Sequence, residues 1–325
     1  MTQVVYSAGI QGAVSGIQPE LWSSMVQVPL YKSLVAMEVA NMRLSDTVKY
    51  ADTVHVPYFG DLTVQTYTPG TTISATVQDW NFDTLVVSAY KHVTFYVDDP
   101  YQLTLNVDQA RELATEAAYQ LKNAIDTDVL KNITGADGFT PADDADLLGG
   151  TNAKPVSAGT ANIINIFAGA RKILRQRNVE EAGDWCAIVS PTVASYIEVK
   201  AANVGFNVAD ATLRNGYAGD FMGFQVYISN NLPTGSMTAL APGAGGVTAT
   251  GLSATTGKSI YFGRKGTIDV VMMRQPALEI RKKDDMIGSN FITWTVYGSS
   301  VFTKNRSRGI NVVLHANGQT TGANL

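Results

Sequence analysis

Residues 46–100 are rich in β formers, and two stretches within them alternate apolar and polar positions with the two-residue period of β-strands. Thr53–Pro57 and Leu62–Tyr67 read as strands, and Pro69-Gly70 follows as a turn signal. Leu85–Val97 then reads as one strand of about 13 residues, well beyond the usual five or six. The Thr-, Ser-, Asp- and Asn-rich stretch 70–84 is expected to be a mobile tip. Together these segments predict a long two-stranded arm projecting from a body. A hairpin alone is marginal in water, so such an arm is expected to lie on another surface.

The period then lengthens. Over residues 108–131, Ala110, Leu113, Ala114, Ala117, Ala118, Leu121, Ala124 and Ile125 step by three and four and predict the strongest helix of the chain. Asp108 suits its N-cap, and Glu112 suits its first turn. Its stripe is largely alanine, so close packing against a flat sheet or another helix is expected. A second helix is predicted over 161–177, with Ile163, Ile164, Phe167, Ala170, Ile173 and Leu174 on one side. Arg171, Lys172, Arg175 and Arg177 fill its last turns, where cations suit the helix dipole.

Trp185–Val189 reads as a strand, followed by a short helix opened by Pro191. Residues 203–220 read as a loop and Phe224–Ser229 as a strand. Residues 233–258 are nearly all Gly, Ala, Thr, Ser and Pro: a flexible surface insert or a lightly built β excursion. Further strands are predicted at Ser259–Phe262, Thr267–Met273, Ala277–Arg281, Phe291–Tyr297 and Ile310–Leu314. Residues 1–45 are apolar without a clean period and are broken by Pro19 and Pro29, which predicts an extended, partly helical arm in need of a partner surface. No internal repeat is present, and the element order is that of an α+β chain.

Composition adds one oddity. Charged residues make up 16% of the 325 positions, against about a quarter in a typical globular protein. Surface buried between subunits or a neutral polar surface would each account for this. The net charge is −4, and no cluster of Lys and Arg suits a nucleic-acid groove. The runs Arg281-Lys282-Lys283 and Lys304–Arg308 read as solvated or interface charge. No segment has the pattern of a secretory leader or the length of a membrane span. The single Cys186 lies in an apolar run and reads as a small buried hydrophobe of a protein made in a reducing compartment.

No stretch of the chain carries recognisable chemistry. Gly251–Ser259 superficially resembles a phosphate-binding loop, but it has one residue too many between its glycines, and β formers follow it instead of a helix. His55, His92 and His315 lack metal-ligand spacing. The acidic groups Asp98-Asp99, Asp126 with Asp128, and Asp143-Asp144 with Asp146 do not fit a calcium loop. The sequence nominates no catalytic, cofactor-binding or metal-ligating residue, and a non-enzymatic protein is expected.

Gly216, Gly219, Gly223-Phe224, Val226-Tyr227, Ser229-Asn230 and Leu232-Pro233 form a pattern similar to one in the major capsid proteins of tailed bacteriophages. In order along the chain, Leu21-Trp22 to Leu34, Thr53–Pro57 with Tyr67–Gly70, Ala124–Leu130, Phe262–Gly266 with Gln275-Pro276, and Trp294–Gly298 also resemble that family. The resemblance implies a Hong Kong 97-type capsid fold. It implies an N-terminal arm at 1–48, an extended loop at 49–100, and a peripheral domain at 101–159 carrying a spine helix at 108–131. An axial domain at 160–265 with its insert at 233–258 would follow, and the peripheral domain would resume at 266–325.

The resemblance further implies a virion shell assembled in the bacterial cytoplasm from hexamers and pentamers, enclosing double-stranded DNA without sequence-specific binding. A portal protein and a decoration protein are possible partners in such a shell. The closeness of the arm to residue 1 leads to the expectation of a separate scaffolding protein. Lys91 falls in the expected extended loop, but by itself gives no warrant for covalent crosslinking. An encapsulin-type nanocompartment shell is the alternative reading, and a hydrolase with a dispersed site the second.

Overall fold

The computed structural model describes residues 31–46, 48, 52–73, 80–100, 109–135, 137–149, 156–181, 183–204, 219–237, 255–282 and 287–314. Its main core surrounds a mixed seven-stranded sheet. The strands are β4 (Pro141–Ala142), β5 (Trp185–Val189), β6 (Asp220–Phe221), β7 (Phe224–Ile228), β8 (Thr234–Met237), β9 (Thr255–Arg264) and β12 (Gly309–Val313). Their order is β4-β12-β9-β5-β7-β6, with β8 added along β9. β5 is buried at every position, which is why it reads as a continuous apolar run rather than an alternation.

Helix α4 (Ile163–Gln176) lies against this sheet and against α5 (Pro191–Val204). Its Phe167 meets Phe221, Phe224 and Phe262 edge to face, with ring centroids 4.9, 5.9 and 4.9 Å away. Gly169 lets α4 approach the short helix α3 (Asp144–Leu148), because a Cβ there would strike the Leu147 backbone. The family-like stretch after Gly216 is described from Gly219 onward and forms the β6–β7 hairpin. Its loop residues Met222 and Gly223 both have positive φ, 52° and 84°, the backbone of a type I′ turn.

A second sheet is antiparallel and three-stranded, in the order β10-β11-β3. It contains β3 (Ala89–Asp98), β10 (Asp269–Lys282) and β11 (Gly288–Ser300). Helix α2 (Gln109–Lys131) packs over β3 and β11, while the expected cap Asp108 lies outside the described residues. Of the N-terminal arm, the described part holds a single turn, α1 (Ala36–Val39), and a 3-10 turn at Arg43–Asp46. The two-stranded hairpin of β1 (Thr53–Phe59) and β2 (Trp80–Val86) completes the architecture.

The structure corrects four sequence expectations. Leu85–Val97 is not one strand. The chain turns a corner at Val87-Ser88, leaving β1 for β11, and Val87 N donates to Asp52 O there at 2.7 Å. Leu85 and Val87 are buried at this corner with Val48, Val271 and Val296, so the apolar run continues while the strand partner changes. The tip does not extend to residue 84, since Trp80–Thr84 pairs with His55–Phe59. The polar Asn81, Asp83 and Thr84 mask that alternation in the sequence.

Leu62–Tyr67 forms no strand, although the Pro69-Gly70 turn is present, with Gly70 at φ 90° and Thr71 N donating to Thr68 O. Finally, Thr267–Met273 and Ala277–Arg281 belong to the single bent strand β10. Two register shifts between Met272 and Ala277 let Pro276 sit at a bulge on an edge strand. The neutral insert has a β base, β8 against the start of β9, and residues 238–254 lie outside the described residues.

Candidate assembly interface

The register of the β1–β2 hairpin decides what it presents. Phe59 pairs with Trp80, Pro57 with Phe82, His55 with Thr84 and Thr53 with Val86. Since side chains alternate across a strand, these eight share one face. Trp80 is 68% exposed and Phe82 64%. Phe59 and Trp80 have ring centroids 4.4 Å apart, and the His55 ring meets Phe82 edge-on at 5.2 Å. Of sixteen large apolar side chains exposed among the described residues, nine lie between Phe59 and Tyr90. An apolar patch this concentrated marks a contact surface.

A complementary hollow lies along α2. The C-terminal half of the helix buries Leu121, Ile125, Val129 and Leu130 as expected. Its N-terminal half does not close against the sheet, and Ala114 and Ala118 line two adjoining grooves of about 820 and 640 Å³. The grooves share Leu34, Lys122 and Leu278. Phe291, Tyr31 and Arg111 extend one of them, and Met37, Met272 and Pro276 the other.

One wall of this trench is the N-terminal segment, and a buried carboxylate holds it in place. Asp126 Oδ1 accepts from Val35 N at 2.8 Å and Ala36 N at 2.7 Å, satisfying the start of α1. Its Oδ2 accepts from Asn231 Nδ2 at 2.9 Å. Asn231 also donates to Asn123 Oδ1 and accepts from Lys32 Nζ at 3.1 Å. Asn231, at the unspecified position of the Ser-Asn-x-Leu-Pro stretch, thus completes a clamp that joins α2 to the N-terminal segment. The sequence left one hint of it, an Asp placed beside the buried Ile125 and one turn before Leu130.

Asp126→Ala would leave two N–H groups and an amide without their charged acceptor, and should lower stability by roughly 3 kcal/mol. Limited trypsin digestion should then cut faster after Arg43, whereas cutting at the wild-type rate would show that the clamp is dispensable.

Asp128 binds differently. Burial pushes its pKa up, but hydrogen bonds from Tyr297, Lys91 and Lys131 outweigh that and hold it below the ordinary carboxylate value. Tyr297 Oη donates at 2.7 Å and Lys91 Nζ lies 3.1 Å away. Lys91 therefore sits on β3 within the body sheet rather than on the projecting hairpin.

Asp269 is the opposite case. Burial raises its pKa from 3.8 to about 6, despite donors from Asn41 and Asn305 and the positive charge of Arg308. A raised folded pKa means stability present below the unfolded value and lost as pH rises through about 6. Relative to Asp269→Asn, the wild type should gain roughly 2–3 kcal/mol of unfolding free energy between pH 7 and pH 4. Urea titrations across that range test this, and a pH-independent difference between the two proteins would refute it.

Among the described residues, the His, Cys, Asp and Glu side chains form no group that could hold a metal ion. Cys186 is fully enclosed, and burial pushes its thiol up to about 12. His55 Nδ1 lies 3.1 Å from Thr84 Oγ1 on the hairpin, His92 pairs with Trp294 across β3 and β11, and His315 lies outside the described residues. Lys258 Nζ bonds Leu232 O, and Ser259 is buried within β9, so this end of Gly251–Ser259 is strand rather than phosphate loop.

Comparison with known proteins identifies the fold and the family. A family model described as phage capsid protein matches residues 102–310. A search of curated proteins returns no match. Among solved structures, a chain of Mycobacterium phage Che8 superposes with a TM-score of 0.67 at 19% identity, covering 91% of this chain and 96% of that one. The capsid of Cyanophage P-SCSP1u gives 0.65 at 14%, covering 94% and 95%. The mature capsid of bacteriophage PhiM1 gives 0.62 at 15%, covering 91% and 92%. At such identities the likeness establishes a shared fold, the α+β capsid fold of the Hong Kong 97 type. A matching model over most of the sequence adds descent to shape, and the chain belongs to the phage capsid protein family.

Proposed function

We propose that many copies of this chain close into the icosahedral shell of a tailed phage, each laying the aromatic face of its β1–β2 hairpin into the α2 trench of a neighbour. The observation that carries this reading is that one chain bears both an exposed aromatic face and an apolar trench that none of its described residues fills. Charge favours the same match. Residues 53–90 contain neither lysine nor arginine to oppose Lys32, Arg111 and Lys122 of the trench. Two different surfaces of one chain make a head-to-tail contact, which closes into rings when the rotation allows.

In this reading residues 1–48 act as an arm and the extended loop, expected over 49–100, ends at the corner near Ser88, where β3 returns the chain to the peripheral sheet. The parts at 101–159 and 266–325 form the peripheral domain around α2, and 160–265 the axial domain, where rings of five and six copies meet. The shell would be assembled in the bacterial cytoplasm and would enclose double-stranded DNA through general electrostatics rather than base reading. Portal, scaffolding and decoration proteins would be its partners.

Negative-stain microscopy of the purified chain tests the proposal. Closed shells or curved sheets of ring-shaped units are expected. A protein that stays monomeric at high concentration, with or without its phage's other head proteins, would overturn it.

A further inference from the structure

Helix α6 (Thr303–Arg306) is a single turn. One turn closes too few hydrogen bonds to offset the entropy of fixing its residues. Its N-cap, Phe302, has no side chain that can accept a bond from the exposed N–H groups. The acceptor comes instead from the hairpin. Asp83 on β2 takes Thr303 N on one carboxylate oxygen and Thr303 Oγ1 on the other, each at 2.7 Å. Lys304 Nζ adds a 2.7 Å contact to Asp61, a solvated pair of small worth.

Asn305 faces the other way. Its Nδ2 donates to Asp269 Oδ2 at 3.0 Å, and Asp269 Oδ1 accepts from Asn41 Nδ2 at 2.6 Å. Asn41 is itself zipped to β10, its N donating to Ile268 O and its O accepting from Val270 N. Hydrogen bonds bridged by the backbone of α6 therefore connect the hairpin through Asp269 to the N-terminal segment.

We infer that α6 is a two-state junction that couples docking of the β1–β2 hairpin to seating of the N-terminal segment 31–46. When the hairpin swings away, Thr303 N loses its acceptor, and the turn keeps side-chain contacts only at its C-terminal end, from Asn305 to Asp269 and from Arg306 to Asp137. Asn305 then withdraws from Asp269, a buried carboxylate left with too few donors, and a buried charge short of partners weakens whatever still encloses it. The seat of Asn41 loosens in consequence. Thermodynamic linkage makes the effect reciprocal, so freeing the N-terminal segment also loosens the hairpin. The coupling lies within one chain and stands whether or not the shell reading is correct.

Hydrogen exchange read by mass spectrometry on the full chain provides the test. Asn305→Ala touches neither the hairpin nor the N-terminal segment, yet exchange should rise roughly tenfold in peptides covering both Thr53–Phe59 and Asn41–Asp46, the loss of about one charged hydrogen bond. Peptides covering Trp185–Val189 should be unchanged. Asp83→Asn cuts the run from the hairpin side and should speed exchange at Asn41–Asp46. The double variant should add little to either single one. Faster exchange confined to Thr303–Arg306 would overturn the coupling. So would an equal rise in every peptide including Trp185–Val189, or an Asp83→Asn protein with wild-type exchange at Asn41–Asp46.

Discussion

Replacing Trp80 and Phe82 with serine is expected to give a folded chain that no longer closes into shells. Both rings point away from the subunit, at 68% and 64% exposure. Serine there removes little intramolecular packing beyond the exposed Phe59–Trp80 and His55–Phe82 contacts, and unfolding free energy should fall by only about 1–2 kcal/mol. The loss at a neighbour's trench is far larger. Aromatic side chains bury about 150–250 Å² each when fully enclosed. At about 25 cal/mol per Å², the pair is worth on the order of 5 kcal/mol per contact, more than three powers of ten in association. Circular dichroism melting should show a nearly unchanged subunit, and sedimentation velocity should show the loss of particles. Normal shells from this double variant would remove the hairpin face from the contact.

The largest effect on the subunit itself is expected at Phe167. Its ring is wholly enclosed and touches Phe221, Phe224 and Phe262 across the face of the seven-stranded sheet. Phe167→Ala should cost about 3–5 kcal/mol, the transfer of the lost ring plus the cavity it leaves among rigid aromatic neighbours. At roughly 1.5 °C per kcal/mol for a chain of this size, calorimetry of the unassembled protein should find the midpoint lowered by about 4–7 °C. Phe167→Leu should recover more than half of that. Equal effects of alanine and leucine would mean that the edge-to-face geometry, rather than filled volume, carries the site.

These two residues differ in how readable they were. Phe167 announces itself because Ile163, Phe167, Ala170 and Leu174 keep the helical period, and a local pattern suffices to mark a buried face. The hairpin was legible as well, through the alternation of Thr53–Pro57 and the Pro69-Gly70 turn. What escaped depends on partners that the local pattern does not contain. The run from Leu85 to Val97 stays apolar through the corner at Val87, and only the switch from β1 to β11 breaks the strand. Pro276 looks like a strand end until the bulge in β10 accommodates it. Asp126 enters the sequence reading only as half of an acidic pair that fits no calcium loop, although its donors come from Val35 and Asn231, 91 and 105 positions away. Closeness of that kind is set by the fold and leaves almost no trace along the chain.

The corner at Val87-Ser88 has a mechanical meaning of its own. It is the fulcrum of a lever whose paired part, seven residues of β1 against seven of β2, is roughly 23 Å long at about 3.3 Å per residue. Rings of five and six copies differ by about 12° in the rotation between neighbours. Taken up wholly at the fulcrum, that difference moves the far end of the paired strands by only about 5 Å, close to the spacing of adjacent strands. A single sequence could then serve both ring sizes by a small swing of one arm, with its two sheets left as they are.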